Sequence, residues 1–117
     1  MITEEIIIVP KKWGCEWWLV NREYCGKLLF LNKGAVCSYH KHILKTETFY
    51  CLKGLIELTI NDETYTLDTN DEPITILPGD YHQFAGLEES VILEISTHHE
   101  DSDVERKTES EANKNPI

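Results

Sequence analysis

Turn-forming residues recur so closely along this chain that the stretches between them have room only for short strands. Asn32-Lys33-Gly34, Lys53-Gly54, Asn61-Asp62, Asn70-Asp71-Glu72-Pro73 and Pro78-Gly79-Asp80 punctuate runs rich in β-branched, aromatic and alternating residues. Glycine supplies positive φ, proline presets the first turn position, and Asn and Asp bond to their own backbone, so each cluster stops a strand for a stated reason. The runs fall at 6–9, 16–20, 27–31, 36–42, 47–53, 55–60, 64–67, 74–77, 82–85 and 91–97. No helical period lasts two turns. Many short strands at this spacing specify an all-β sandwich or barrel.

Alternation is clearest in Leu55-Ile56-Glu57-Leu58-Thr59-Ile60 and Thr64-Tyr65-Thr66-Leu67, which read as a hairpin turning at Asn61-Asp62-Glu63 with one face buried. A chain of 117 residues, 41% apolar, supports one core and not two. From Glu100 onward the composition shifts to Asp, Glu, Ser, Lys and Asn, too polar to offset its ordering entropy. The expected organisation is therefore one all-β domain over 1–99 and an acidic, disordered tail over 100–117.

A formal charge of -10 repels phosphate backbones and anionic lipid, which excludes nucleic-acid and membrane partners as expectations. The apolar run 6–9 is far too short to span a bilayer, and a cytoplasmic protein is expected. Cys15, Cys25, Cys37 and Cys51 form no CxxC pair, so free thiols are expected, with Cys37 and Cys51 packing as small core residues or serving a redox role.

His40 and His42 stand two apart, which in a strand sends both imidazoles to one face, where they can chelate one ion. Lys45 and Glu47 repeat that spacing at the start of the next run, and a turn at Ile43-Leu44 aims them back into the same cavity. His82 follows the tight Pro78-Gly79 turn. Three imidazoles and a carboxylate then converge on a single divalent metal, with positions of an octahedral site open for water or substrate oxygens. This donor set suits Mn²⁺, Fe²⁺, Co²⁺ or Ni²⁺, with Zn²⁺ accommodated by fewer ligands, and Mn²⁺ is the ion expected.

Gly34, His40-x-His42, Glu47 and Gly54 together resemble the first motif of the cupin family. Pro78-Gly79-Asp80-Tyr81-His82 resembles the second, with the proline one position closer to the glycine and no Asn after the histidine. The resemblance implies a double-stranded β-helix, the jelly-roll barrel of the cupins. His-x-His-x-x-Lys-x-Glu is similar to the motif of the cupin D-lyxose isomerases, and residues 92–96 resemble the strand carrying their second acid/base glutamate. Lys12-Trp13-Gly14-Cys15-Glu16 resembles the opening of cupin domains of the mannose-6-phosphate isomerase type.

What these resemblances imply is aldose–ketose isomerisation of a sugar, passing through a cis-enediol, with Lys45 and Glu94 as proton carriers. Proximity to a cation would press Lys45 toward its neutral form. Glu94 faces either the cavity or solvent, and Trp13, Trp17 and Trp18 offer either a wall for a sugar ring or ordinary packing. Arg22 is the only arginine in the part expected to be ordered, which favours a free monosaccharide over a phosphorylated one. Two alternatives stand beside the isomerase: a metal-loaded, non-catalytic sugar-binding cupin of carbohydrate metabolism, and an Fe²⁺ dioxygenase. Cupins commonly pair through N-terminal strands, and the apolar edge at 5–9 points to a homodimer.

Overall fold

The computed structural model describes residues 1–113. Its strands are β1 (Ile7–Lys11), β2 (Gly14–Asn21), β3 (Tyr24–Leu31), β4 (His40–Lys41), β5 (Glu47–Lys53), β6 (Ile56–Ile60), β7 (Glu63–Leu67), β8 (Ile74–Ile76), β9 (His82–Gly86), β10 (Ser90–Thr97) and β11 (Glu105–Arg106). They form two antiparallel sheets, ordered β1-β2-β3-β10-β5-β8 and β11-β4-β9-β6-β7. Each run expected from the sequence overlaps a strand, though not always over its full length. Among the described residues no helix is long and apolar enough to cross a membrane.

The sheets face each other across one core. Leu29, Leu31, Phe49, Cys51, Ile76 and Ile92 of the first sheet meet Ile56, Leu58, Leu67 and Phe84 of the second. Period-2 alternation decides which side chains enter. On β3 it turns Cys25, Lys27, Leu29 and Leu31 inward, on β5 Glu47, Phe49 and Cys51, and on β10 Ile92, Glu94 and Ser96. Charged and apolar residues thus share one inner face, and the charged ones gather at one end of it.

The expected hairpin is β6–β7, closed between Ile60 and Glu63. Asn61 and Asp62 both take positive φ, 46° and 70°, as a two-residue turn matched to strand twist requires. At Gly54 (φ 89°) a Cβ would stand 2.3 Å from Ser90 Oγ, so both conformation and space demand glycine.

Two expectations need correction. The run 36–42 is a regular strand only at His40–Lys41; Val36 makes isolated bridges to Ala85 and Glu111. Between them, hydroxyls stand in for a neighbouring strand: Ser38 N donates to Ser110 Oγ and Tyr39 N to Thr108 Oγ1. Those hydroxyls belong to the stretch expected to be disordered. Instead, β11 pairs with β4, and Lys107 N donates to the Tyr39 carbonyl. Lys107 Nζ also lies 4.1 Å from the Tyr81 ring centroid. Hydrogen bonding and cation–π contact, not apolar patterning, attach residues 100–113, so composition gave no sign of it. The final residues of the expected tail, 114–117, lie outside the described part.

Candidate metal centre

β4 delivers His40, with His42 just beyond its end, while β9 begins with His82 and β5 with Glu47. His40 and His82 are direct cross-strand partners, their rings 4.4 Å apart. The Pro78-Gly79 turn is tied to the other motif by a bond from Gly79 N to the His42 carbonyl, 2.8 Å. One ring nitrogen from each of His40, His42 and His82 lies within 4.8 Å of the other two. These three histidines could hold a metal ion.

Their hydrogen bonds say which nitrogen is offered. Nδ1 of His40 faces the Ser38 carbonyl at 2.7 Å, that of His42 the Asp103 carbonyl at 2.6 Å, and that of His82 the Asp80 carbonyl at 3.0 Å. A carbonyl only accepts, so each Nδ1 carries its proton and donates, which leaves each Nε2 as a lone-pair donor for a cation. Glu47 comes to the same place, Oε2 3.2 Å from His42 Nε2 and Oε1 3.7 Å from His82 Nε2. Glu47 Oε2 and His82 Nε2 are buried without any hydrogen-bond partner. Buried polar atoms are seldom left so, and a lone pair facing a carboxylate is what a cation reconciles.

The electrostatics agree. Burial and the neighbouring His82 push the His40 imidazole down to about 3, and burial lowers His82 as well, so both rings stay neutral donors. Burial alone would raise Glu47, but the His42 contact and the charge of Lys45 work against it and hold the carboxyl far below its ordinary range.

Lys45 and Glu94 meet beside this group. Lys45 Nζ lies 3.3 Å from Glu94 Oε2, 3.5 Å from Glu47 Oε2 and 3.1 Å from His99 Nδ1. Glu94, 3% exposed, faces the cavity and also accepts from Ser96 Oγ, which removes the solvent-facing alternative. Burial and repulsion from Glu47 raise its carboxyl, against the opposing pull of Lys45. With no cation beside it, burial works to lower Lys45, but Glu94 and Glu47 outweigh it and keep the ammonium above its ordinary value.

His40, His42, Lys45, Glu47, Glu94 and His99 line one cavity of about 100 Å³, which Trp13 and Phe84 also border. Trp13 is thus both a core and a wall residue, packed edge-on to Phe84 at 5.1 Å. Trp17 packs at a tilt of 57° against Phe30, and Trp18 donates to Glu16 and abuts His99.

Sequence reasoning missed several lining residues. Lys27, 1% exposed, is paired to Glu16 at 3.3 Å beneath the Trp18 ring, and its inward place among Cys25, Leu29 and Leu31 was the available signal. His99 and Asp101, bonded at 2.8 Å, and Arg106 of β11 had no such pattern. With Arg106 ordered and, like Lys11, on the pocket lining, Arg22 is not the only arginine available and no longer weighs against a phosphorylated sugar.

No family model matches the chain. Mannose-1-phosphate guanylyltransferase of Sinorhizobium fredii is 30% identical over 95 residues, covering 80% of this chain and 18% of that protein, so the chain spans less than a fifth of that relative. The capsular polysaccharide assembling protein CapF of Staphylococcus aureus superposes with a TM-score of 0.75 at 16% identity, over 87% of this chain and 34% of that one. Pac13, a nucleoside dehydratase from Streptomyces, superposes with a TM-score of 0.74 at 14% identity, over 92% and 88%. The structural likenesses establish the fold, and the chain is a cupin barrel.

Proposed function

We propose that this cupin barrel holds one divalent transition metal through His40, His42, Glu47 and His82, Mn²⁺ before Fe²⁺, Co²⁺, Ni²⁺ or Zn²⁺, and acts as a sugar ketol-isomerase. The observation that carries the reading is the buried Lys45–Glu94 pair opening on the same cavity as His40, His42 and Glu47. A metal there would supply positive charge to the oxygens of an open-chain sugar. Ionised Glu94 takes the proton from C2 and returns it to C1. Charged Lys45 gives a proton to O1 and recovers one from O2, so that the aldose becomes a ketose through a cis-enediol with every proton conserved. The raised carboxyl of Glu94 suits a base near neutral pH.

Sugar as substrate is supported by names alone: the relative is an enzyme of mannose 1-phosphate, CapF assembles a polysaccharide, and Pac13 acts on a nucleoside. A monosaccharide, free or with an acidic substituent, fits a pocket bordered by Trp13, Lys11 and Arg106. Incubating Mn²⁺-loaded protein in deuterated water with a panel of neutral and acidic aldoses and ketoses tests the reading. Deuterium should enter at C2 or C1 of one of them, and Lys45→Ala and Glu94→Gln should each slow its entry by about 10²–10⁴-fold.

A second reading, a metal-loaded sugar-binding module, is favoured by the completeness of the pair's own contacts, since Lys45 and Glu94 satisfy each other as a structural pair would. It requires sugar affinity without exchange, unchanged in Lys45→Ala. The four unpaired cysteines suit a reducing compartment, and we assign the chain to the cytoplasm. Ile7 and Ile8 stand 53% and 59% exposed on the edge strand β1, and we assign that edge to a homodimer contact. Light scattering should find a dimer that Ile8→Lys converts to monomer.

A further inference from the structure

We infer that Asp103, beyond the last long strand, positions both His42 and Lys45, making the C-terminal segment a working part of the site. The inference rests on the metal reading proposed above. Its basis is a difference among the three histidines. The Nδ1 acceptors of His40 and His82 are carbonyls two residues away, Ser38 and Asp80, supplied by the same local backbone. The acceptor for His42 is the Asp103 carbonyl, 61 residues away and 2.6 Å distant. The orientation of that one ring therefore depends on where the C-terminal segment lies.

The Asp103 side chain holds the same connection a second way. Its Oδ1 accepts from Ile43 N at 2.8 Å and Leu44 N at 3.1 Å, while Oδ2 accepts from Leu44 N at 3.3 Å and Lys45 N at 3.1 Å. Three successive N–H groups thus close around one carboxylate, a concavity that backbone dipoles make favourable for an anion. Apolar packing holds little of this loop, for Ile43 and Leu44 are 50% and 75% exposed. Asp103 itself is buried, and its own N–H is used by the Glu100 carbonyl. What the carboxylate fixes is the bend between His42 and Glu47, and with it the direction in which Lys45 enters the cavity. Asp103 touches neither metal nor substrate in this account; it is a positioning residue.

The test compares metal-stripped full-length protein with Asp103→Ala, Asp103→Asn and Lys107→Ala, the last removing the cation over Tyr81 at another anchor of the same segment. Mn²⁺ affinity is read by competition with a chelating fluorophore, ligand geometry by the visible absorption of bound Co²⁺, and folding by thermal unfolding without metal. Asp103→Ala keeps the carbonyl that faces His42 but removes the carboxylate that holds it there, and disturbing an outer-shell partner commonly weakens metal binding by about 10–100-fold. Asp103→Ala should weaken Mn²⁺ by about ten-fold or more and alter the Co²⁺ spectrum. Asp103→Asn, which keeps one acceptor oxygen, should fall between it and wild type. Lys107→Ala should stay within about two-fold of wild type. Wild-type affinity in Asp103→Ala overturns the inference, as does an equal loss in Lys107→Ala, which would mean that any loosening of the segment suffices. If Asp103→Ala does not fold, Asp103→Asn against Lys107→Ala decides by the same criteria. Failure of wild type to bind either ion overturns the metal reading together with this inference, whereas wild-type binding unchanged by Asp103→Ala overturns the inference alone.

Discussion

At one end of the barrel the inward residues are Leu29 and Leu31 of β3, Cys51 of β5 and Ile92 of β10, whereas at the other the same three strands turn in Lys27, Glu47, Glu94 and Ser96. The registers make the division sharp: Ile92 sits opposite Leu29 and Cys51, and two residues on, Glu94 sits opposite Lys27 and Phe49. Strand geometry decides which face a residue occupies but not what it must be. The apolar end supplies stability by burial. The charged end can be tolerated only if each charge is paired, as Lys27 is with Glu16 and Lys45 with Glu94 and Glu47. Burial would raise Glu16, yet Lys27 and Trp18 hold its carboxyl below the ordinary value.

If this division is right, disrupting the charged end should destabilise through unpaired charge and be repairable by removing charge. Lys45→Met leaves Glu94 and Glu47 without their shared ammonium, and thermal unfolding of the metal-stripped protein should show a loss of about 3–5 kcal/mol. Adding Glu94→Leu should recover much of that loss while leaving deuterium exchange abolished. A double variant as unstable as the single would mean that packing, not charge, sets the cost at this end. At the apolar end Ile92→Ala should cost about 2–5 kcal/mol by opening a cavity, with Mn²⁺ affinity unchanged. A large fall in affinity there would show that the two ends are not separable.

A third contrast separates buried from exposed histidine. In the metal-stripped protein the His40 ring should remain neutral by NMR until about pH 3, whereas exposed His98, bonded to Glu100, titrates above its ordinary value. The unfolded chain protonates His40 near pH 6.5, so between about 6.5 and about 3 it binds a proton that the folded state refuses. Stability should therefore fall as pH drops through that window and stay flat, on this group's account, above it. His98 acts with the opposite sign, adding stability below pH 6.5 that disappears as pH rises through its raised value. A His40 ring that titrates with His98 would contradict the burial assigned to it.

Much of this plan is openly written in the sequence. Turn clusters delimited the strands because Gly, Asn and Asp have few other conformational uses there, and Asn61-Asp62 closes its hairpin as expected. The spacing of two pointed His40 and His42 to one place and the Pro78-Gly79 turn pointed His82 there, whereas alternation on its strand left Glu94 open between cavity and solvent until its burial was seen. Lys27 obeyed that rule too, hidden only because a lysine among leucines is easily read as an exposed neighbour. Asp103 could not be found this way. Its segment has no period, and its attachment depends on backbone donors of residues 43–45 that look like any others in a linear chain.

The account stands on three imidazoles sharing one ion, and X-ray absorption fine structure on the Mn²⁺-loaded protein measures that directly. It expects a first shell of nitrogen and oxygen with outer-shell scattering from three imidazole rings, reduced to two in His82→Ala. Scattering from fewer than three rings in wild type, or a spectrum that His82→Ala leaves unchanged, would contradict it.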